Sequence, residues 1–463
     1  MTFCSSPSSR KWALRWAVLG AGAVLVFGCS KRDSAAPEGR EGTPAGTAEA
    51  PSWSDVPPHS PPFHFVLFTL DTTRRDRLSC YGYEKETTPH LDRLAREGIL
   101  FEDAYAAVPV TLPSHATMMT GLYPFRHGVR NNGTYVLADS LPTLAYLLKS
   151  KGYETGAVLG AFPVDGRFGL AQGFDHYDDR FPPTAARGGE SAERPASDVT
   201  RLALEWIDAR LGAGGGRPLF LWVHYFDPHT PHHPSEPWKS RFPDDPYDAE
   251  LAAMDAAIGE LLEGIEQRGL GERTIFLVAG DHGEGLGDHD EPTHSMFLYG
   301  ATLESPLLLR LPDAEPWRDG AWRGKRVRGL ASLVDLLPTA WNALGFRGED
   351  LPAEVGRSLL PLVEGSGEPH GWIYHETLIP DLDYGMSELR ALTEGSWKYV
   401  RAPEPELYDL AADPEELENL AAREPDRMRA MESRLTEILK HEVPAYAPMA
   451  IDDETLEKLR ALG

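Results

Sequence analysis

The chain has 463 residues, a formal net charge of −26 and only three cysteines. A chain this acidic does not present the basic surface that nucleic-acid binding requires, so we expect no nucleic-acid partner. The same charge opposes binding of an anionic ligand unless a local cation overrides the field of the whole protein, and a metal ion is one such cation. Composition therefore favours a metal-dependent protein over a nucleic-acid-binding one.

Residues 1–28 have the pattern of a secretory signal, because basic residues precede an apolar run that is too short for a membrane-spanning helix. The run ends in Gly28-Cys29, as in a bacterial lipoprotein signal, although Phe27 is unusual there. This ending predicts cleavage before Cys29 and lipidation of that cysteine. The alternatives are an ordinary cleaved signal and an uncleaved anchor.

Residues 29–62 are rich in Pro, Ala, Gly, Glu and Ser and contain little to bury, which predicts a disordered tether. With Cys29 lipidated, only Cys80 lies in the folded body, so no intrachain disulfide is expected. We therefore expect an extracytoplasmic lipoprotein with a lipid anchor in the membrane, facing the periplasm or the cell surface from the outer membrane.

Three apolar runs each end at an aspartate: Phe63–Leu70 before Asp71, Leu219–Phe226 before Asp227, and Thr274–Gly280 before Asp281. Continuous apolar runs of this length are typical of parallel strands that are buried on both faces. Helical patterns separate the runs, so we expect an α/β fold with a doubly wound sheet. Ligands of such sheets bind beyond the carboxyl ends of the strands, where the three aspartates fall. The helical patterns cover Thr88–Arg96, Leu141–Leu148, Val199–Leu211 and Ala249–Arg268.

The stretch Val110–Gly121 places a hydroxyl where a helix begins, since Pro113 suits the first helical position and Gly121 the end. The unpaired N–H groups and the dipole of such a helix start attract anions. Thr111 lies just before that turn. Its hydroxyl is a candidate nucleophile if another group lowers its pKa.

A metal ion at a neighbouring candidate site would lower the pKa of the Thr111 hydroxyl. Asp281 and His282 lie on a glycine-flanked turn and offer an oxygen and a nitrogen to a divalent cation, with Asp71 and Thr111 as further ligands. Coordination lowers the pKa of a bound hydroxyl. The identity of the metal stays open among Mn, Zn, Mg and Ca. Asp227, His229 and His294 are candidate ligands of a second ion.

Histidines follow two of the strand ends closely. We expect His229 and His294 to contact the substrate or protonate its leaving group. His224 lies inside an apolar run, which favours an interior histidine with satisfied hydrogen bonds. Further candidate substrate contacts, including amides that can donate to an oxyanion, are His115, Asn131, Asn132, Asp227 and His289.

These motifs, in this order, resemble the sulfatase family of the alkaline phosphatase superfamily. The matching segments are Leu70–Asp76, Thr111–His115 with Thr120-Gly121, His224–His229, Gly280–Glu284, Val334–Thr339, Trp397–Tyr399 and Glu406–Leu410. The resemblance implies a large mixed, mostly parallel sheet flanked by helices over residues 63–365, which would form the catalytic domain. It also implies a smaller C-terminal antiparallel sheet subdomain over 366–463 and a divalent metal at the strand ends.

Several positions depart from the family pattern. Sulfatases have a Cys or Ser, oxidised to formylglycine, where this chain has Thr111, and an Arg where it has His115. The second Asp of the usual pair is Thr72, and the Lys-x-His segment is missing from 158–163. A metal set of Asp, Thr, Asp and His with a threonine nucleophile is similar instead to phosphodiesterase, phosphonate ester hydrolase and phosphoglycerol transferase relatives.

The sequence therefore predicts a metal-dependent hydrolase that cleaves a phosphate or phosphonate ester, including diesters, or a sulfate ester, through Thr111. The substrate would be an anionic ester, either a small molecule or one derived from a polysaccharide or lipid. Three alternatives stay open. They are a sulfuric ester hydrolase without formylglycine, a phosphoglycerol-type transferase, and an inactive binding lipoprotein that retains only the fold.

Overall fold

The computed structural model describes residues 62–181, 193–214 and 216–443, together with Thr455 and Lys458. The described residues all belong to one compact unit, Pro51–Gly463. The predicted signal over 1–28, the lipidation site Cys29 and the predicted tether up to residue 61 lie outside them. Within the described ranges, no helix combines the length and the apolar character needed to cross a membrane.

Eight strands form the large sheet within the described residues: β1 His64–Leu70, β2 Ile99–Phe101, β4 Glu154–Leu159, β5 His176–Asp178, β6 Leu219–Tyr225, β7 Thr274–Gly280, β8 Leu307–Arg310 and β9 Lys325–Val327. Their spatial order is β5-β4-β6-β1-β7-β8-β2-β9. All neighbours pair in parallel except β8, which is antiparallel to both β7 and β2. The predicted mixed, mostly parallel sheet is confirmed. A separate parallel pair joins β3 Ala104–Tyr105 to β10 Ala331–Ser332.

Helices cover both faces of this sheet, which explains why its strands read as unbroken apolar runs. Side chains alternate along β1, so Phe65 and Leu67 join one hydrophobic core while Val66, Phe68 and Leu70 join a second core on the opposite face. The helices are α1 Pro89–Glu97, α2 Thr111–Thr120, α3 Pro124–His127, α4 Leu144–Ser150, α5 Ala196–Gly212, α6 Trp238–Arg241, α7 Pro246–Gln267, α8 Gly300–Leu303, α9 Leu336–Ala343, α10 Leu360–Glu364, α11 Ile379–Tyr384 and α12 Pro425–Leu439.

Three helix starts differ from the sequence prediction because of capping side chains. One is that of α5, predicted from Val199, which begins at Ala196 with its N–H bonded to Asp227 Oδ2. The helix predicted from Leu141 begins at Leu144, where Thr143 Oγ1 accepts a hydrogen bond from the backbone N–H of Tyr146 at 3.2 Å. The helix predicted from Ala249 begins three residues earlier at Pro246, since the Asp245 carboxylate caps it through the N–H of Asp248 at 3.2 Å.

A smaller antiparallel sheet completes the described structure, as predicted. Its strands β11 Ile373–Thr377, β12 Leu389–Glu394, β13 Trp397–Arg401 and β14 Glu406–Asp409 pair in sequence order. Helix α12 packs on this sheet through Met431 and Leu435, which share a core with Leu392 and Leu407. The predicted boundary at residue 365 remains a prediction.

Candidate active site at the strand ends

Three neighbouring strands bring the aspartates together. Strand β1 lies between β6 and β7, and Leu70 is in register with both Tyr225 and Gly280. Because all three strands are parallel, their carboxyl ends form one edge of the sheet. Asp71 and Asp281 follow β1 and β7 directly, and Asp227 follows β6 after one residue.

Helix α2 presents its first residue to this edge. The helix begins at Thr111 itself, so the prediction that Pro113 occupies the first helical position is wrong, and Thr111 lies within the first turn rather than before it. Gly121 ends the helix with φ 69°, as predicted. The Ser114 hydroxyl donates to the carbonyl oxygen of Asp281 at 2.7 Å, which ties the helix start to the end of β7.

Among the described residues, Asp71, Asp281 and His282 form the only group of acidic, histidine or cysteine side chains with metal-ligand spacing, their ligand atoms lying within 4.8 Å of one another. Thr111 Oγ1 lies 3.5 Å from Nε2 of His282. The His282 Nδ1–H donates to the carbonyl oxygen of Gly283 at 2.9 Å, so the neutral ring presents a lone pair at Nε2. The four predicted metal ligands are thus close together.

The two carboxylates of this group have oxygen atoms that no described hydrogen-bond donor contacts. Both oxygens of Asp71 and one oxygen of Asp281 are buried, and no donor in the described part of the chain bonds to them. Burial raises the pKa of Asp71 and raises that of Asp281 well above its usual value, with the neighbouring Asp71 charge as the second cause for Asp281. Unpaired buried carboxylates beside a lone-pair nitrogen fit a divalent cation.

Two of the predicted histidines stand next to this group. The ring centroid of His294 lies 4.6 Å from that of His282 and 5.2 Å from that of His229. Burial lowers the pKa of His294, but the charge and hydrogen bond of Glu284 outweigh this and raise it overall. Burial lowers the pKa of His229 to about 4, with a smaller opposing effect of Asp71. The pKa values of the two rings are therefore shifted in opposite directions, as suits an acid and a base.

His115 and His224 are fully buried beneath Thr111 and Asp71. His115 shares a hydrogen bond with the carbonyl oxygen of Thr111 at 2.8 Å and another with Thr69 Oγ1 at 3.0 Å, so both of its ring nitrogens have internal partners. His224 Nδ1 also contacts Thr69 Oγ1, at 3.1 Å, but its Nε2 has no hydrogen-bond partner among the residues that the structure describes. The prediction of a fully satisfied interior histidine at His224 is therefore wrong. Burial lowers the pKa of each ring to about 3.

The two asparagines after helix α2 have different partners. Asn132 Oδ1 accepts a hydrogen bond from the backbone N–H of Leu112 at 2.8 Å and so takes one of the free donors at the helix start. The Asn131 amide donates to the Asp383 carboxylate at 3.2 Å. Asn132 is therefore at the first turn of α2, whereas Asn131 is held by α11.

The remaining predicted contacts, Asp227 and His289, have partners outside the group of metal-ligand candidates. Asp227 Oδ2 accepts a hydrogen bond from the N–H of Ala196, the first residue of α5, at 2.8 Å. His289 stacks on Tyr299 with ring centroids 3.7 Å apart and lines a cavity of about 370 Å³. Arg74, Arg75, Glu304 and Glu416 also line this cavity, and the four metal-ligand candidates do not.

The sequence analysis missed Thr69 and Trp222. Both side chains contact the buried histidines, and Trp222 Nε1 donates to Thr69 Oγ1 at 2.9 Å. A signal was available, because Thr69 lies two residues before Asp71, so alternation along β1 puts the two on the same face. A polar side chain at that position in an otherwise apolar strand requires a partner.

Comparison with known proteins identifies the family of the chain. The sulfatase family model matches residues 64–346. Arylsulfatase A of Homo sapiens is 29% identical over 468 residues, with 83% of this chain and 89% of that protein covered.

Two solved structures have TM-scores of 0.68. The phosphonate monoester hydrolase of Agrobacterium radiobacter is 22% identical and covers 82% of this chain and 96% of its own. A protein in complex with its substrate D-glucosamine-2-N,6-O-disulfate is 19% identical, at 82% and 98% coverage. The two TM-scores show a shared fold. Because the sulfatase family model matches more than half of its length, the chain belongs to the sulfatase family of ester hydrolases.

Proposed function

We propose that this chain is a metal-dependent hydrolase of phosphate or phosphonate esters in which Thr111 Oγ1 is the nucleophile. The observation that carries the proposal is the position of that oxygen, 3.5 Å from His282 Nε2 at the start of a helix, beside the unpaired oxygens of Asp71 and Asp281. A threonine hydroxyl reacts only when its pKa is lowered or a base is near; a bound cation would lower the pKa, and His229 would be the base.

Asp71, Thr111, Asp281 and His282 would hold the metal. A divalent cation bound there lowers the pKa of the threonine hydroxyl and offsets negative charge on the substrate. Mixed oxygen and nitrogen ligands suit Mn, Zn or Mg, and Ca is the fourth candidate. A second ion near Asp227 has less support, because that carboxylate also caps α5.

The first step forms a bond between Thr111 Oγ1 and phosphorus and breaks the bond from phosphorus to the ester oxygen. The hydroxyl proton passes to neutral His229, and the departing oxygen takes a proton from His294, whose pKa is raised by Glu284. In the second step water attacks phosphorus and the Thr111 oxygen leaves. His294 accepts the proton of the water and Thr111 recovers its own from His229.

The identity of the nucleophile favours phosphorus over sulfur. A formylglycine hydrate releases sulfate by collapsing to an aldehyde, whereas threonine carries no second hydroxyl and cannot do so. A sulfated threonine would have to be cut by water at sulfur, while a phosphorylated threonine can be displaced at phosphorus in a second, ordinary step. His115 stands where sulfatases have an arginine, and its ring nitrogens are engaged internally.

A sulfate ester is the second candidate, since the family match and a relative solved with a disulfated sugar favour it. It would require threonine to replace formylglycine by a different route. Acceptor-dependent products would instead indicate a phosphoglycerol-type transferase, and metal binding without turnover would indicate an inactive binding protein.

We also propose that the protein is anchored outside the cytoplasm through a lipid on Cys29, which rests on the signal-like pattern of residues 1–28. Labelling of growing cells with a fatty-acid analogue tests this. The label is expected on the wild type and not on a Cys29→Ala variant, and equal labelling of both would contradict it.

The central experiment compares turnover of four esters of one chromophoric alcohol by the full-length protein: a phosphodiester, a phosphate monoester, a phosphonate monoester and a sulfate ester. Each is assayed with Mn, Zn, Mg or Ca. We expect a phosphorus ester to be the best substrate and chelation of the metal to abolish its turnover. A sulfate ester as the best substrate would contradict the proposal.

Two variants of α2 make this test specific. Thr111→Ala is expected to lose at least about 10³-fold in kcat, since no nucleophile remains. Thr120→Ala is the matched control, because that hydroxyl lies at the far end of the same helix and bonds only the carbonyl of Ala116 and the N–H of Leu122. A folded Thr111→Ala variant with full turnover would refute the mechanism.

A further inference from the structure

A further cavity, of about 310 Å³, is lined mostly by charged side chains. Three arginines line it, Arg180, Arg194 and Arg201, together with the carboxylates of Asp178 and Asp198. The four metal-ligand candidates do not line it. The cavity is therefore separate from the candidate metal site, and it brings arginines together in a chain whose net charge is −26.

The segment before α5 places this cavity at the same edge of the sheet as the candidate active site. The N–H of Arg194 donates to the carbonyl oxygen of Gly160, just beyond β4, at 2.8 Å. Two residues further along, Ala196 is bonded to Asp227 beyond β6. Asp178 ends β5, and the strands β5, β4, β6 and β1 are adjacent and parallel. At a strand spacing of about 4.8 Å, the end of β5 lies about 14 Å from the end of β1.

Arg194 is buried with part of its hydrogen-bonding capacity unused. Only 2% of its side chain is exposed. Its Nη2 donates to the Asp178 carboxylate at 3.0 Å and to the carbonyl oxygens of Asp178 and Arg180, whereas Nε and Nη1 have no acceptor among the described residues. These two nitrogens carry three of the five N–H groups of the guanidinium. The ring of Phe181, 5.3 Å from the guanidinium carbon, offers only its π face. Unpaired donors on a buried cation are costly unless a ligand accepts from them.

The charges around Arg194 also favour an anion. The Asp178 carboxylate pairs with both Arg180 and Arg194, each at 3.0 Å. Burial raises the pKa of Asp178, but the hydrogen bonds of the two arginines outweigh this and lower it to about 2, so the carboxylate is ionised. Arg201 has acidic partners of its own on α5. Within the described structure, two guanidinium groups therefore share a single carboxylate, which leaves positive charge for an anion to neutralise.

We propose that this cavity is a subsite for a second anionic group of the substrate, with the unpaired Nε and Nη1 of Arg194 as donors. A sulfate, phosphate or carboxylate offers the charge and the acceptor oxygens that a guanidinium binds. The substrate would then carry two anionic groups about 14 Å apart, the reacting ester and this one, as a chain molecule with repeated charges does. This inference deepens the proposed function and rests on it for the reacting ester.

The first test measures anion binding without turnover. Inorganic sulfate is titrated calorimetrically into the full-length protein in the presence of a chelator, at constant ionic strength, so that no metal ion competes for the anion. We expect the wild type to bind sulfate and Arg194→Met to bind it with a Kd raised by at least about 10-fold. A wild type that does not bind sulfate would overturn the inference even if Arg194→Met does not fold.

Arg390→Met is the matched control. That arginine is also buried, but its Nε, Nη1 and Nη2 all have acceptors, which are supplied by Tyr374, Glu388 and Glu442. Its Kd for sulfate is expected to equal that of the wild type. An equal loss of sulfate binding in both variants would overturn the assignment to Arg194.

The second test asks whether the anion belongs to the substrate. Two phosphorus esters of the chromophoric alcohol are compared, each with a chain of about 14 Å on phosphorus that ends in a sulfate in one ester and in a hydroxyl in the other. We expect the sulfate to lower KM by at least about 10-fold in the wild type and not in Arg194→Met, with kcat unchanged, because the added contact is the same in the ground state and the transition state.

The outcomes separate this inference from the proposed function. Turnover with equal KM values for the two esters would refute this inference alone, and sulfate binding would then point to a free inorganic anion as the occupant. In a protein that turns over neither ester, a lower Kd for the sulfated ester that Arg194→Met abolishes would refute only the proposed function.

Discussion

Glu284 Oε1 accepts a hydrogen bond from Nδ1 of His294 at 3.2 Å, and the His294 ring lies against that of His282. Burial lowers the pKa of His294, and the charge and hydrogen bond of Glu284 raise it. A protonated ring at this position can protonate a departing oxygen, and this matters most when the leaving group is a poor one.

We therefore expect Glu284→Gln to reduce turnover in proportion to the basicity of the leaving group. The loss should be about 10²-fold for an alkyl or unsubstituted phenyl ester and less than about 10-fold for a nitrophenyl ester. A plot of log kcat against the pKa of the leaving group measures this, with the exposed Glu260→Gln on α7 as control. An equal loss for every leaving group would argue against acid catalysis by His294.

The turn that carries His282 leaves no room for a larger residue at position 283. A Cβ at Gly283 would lie 2.0 Å from the carbonyl oxygen of Ala301, and the Gly283 N–H donates to Thr302 at 2.8 Å. We expect Gly283→Ala to displace His282 and to raise the Kd for Mn²⁺ by at least about 10-fold. Gly348→Ala, which meets no atom within 4 Å, is the control. Unchanged Mn²⁺ affinity in Gly283→Ala would mean that the turn does not position the ligand.

A buried ion pair connects the segment after α3 to the small sheet. Arg130 donates two hydrogen bonds to the Glu376 carboxylate at 2.6 and 2.7 Å, with 1% of each side chain exposed. Glu376→Ala should lower the free energy of unfolding by about 3 kcal/mol, because the buried Arg130 charge loses two hydrogen bonds and keeps only its contact with Glu442 at 2.8 Å. The exposed pair of Arg201 and Glu205 is the control. Glu205→Ala should change the free energy of unfolding by less than about 0.5 kcal/mol. Urea unfolding measures both, and a similar small loss in each would contradict the burial argument.

Asp255 makes folding stability depend on pH. Its carboxylate accepts the N–H groups of His90 and Leu91, yet burial raises its pKa to about 7. Because the pKa of Asp255 is higher in the folded state than in the unfolded state, its protonated form stabilises the fold. This stabilisation is complete at pH values below the pKa of the unfolded state and is lost as the pH rises through 7.

Relative to Asp255→Asn, which stays neutral, the wild type should lose about 4 kcal/mol of unfolding free energy between pH 4 and pH 8. Urea denaturation of both proteins at several pH values gives this difference directly, and comparison with the variant cancels the other titrating groups. A difference that does not change with pH would show that Asp255 keeps its ordinary pKa.

Much of the fold could be predicted because its elements have strong local signals. The apolar runs before Asp71, Asp227 and Asp281 became three adjacent parallel strands, as their length and flanking helices indicated. Helix starts were less predictable, since capping by Thr143 or Asp245 depends on which side chain turns back to the helix. The start of α2 shifted for a similar reason, with Asn132 supplying its acceptor from twenty residues away.

The site was predictable in its residue types and only partly in its contacts. Asp71, Thr111, Asp281 and His282 come together because strand ends and one helix start share an edge of the sheet. The partners of Asn131 and His289 lie on segments remote in sequence, at Asp383 and Glu415, which no local pattern reveals. The hydrogen-bond network around Thr69 is equally non-local, because it joins β1, α2 and β6.

Formation of a phosphorylated Thr111 is the most direct measure of the central claim. The full-length metal-loaded protein is mixed with the best phosphorus ester of the chromophoric series, quenched in acid within the first turnover, and digested for mass spectrometry. We expect a burst of released alcohol and a phosphoryl group on the peptide that contains Thr111, both absent from Thr111→Ala. Rapid turnover with no burst and no modified threonine, or with Thr111→Ala still active, would contradict the threonine mechanism.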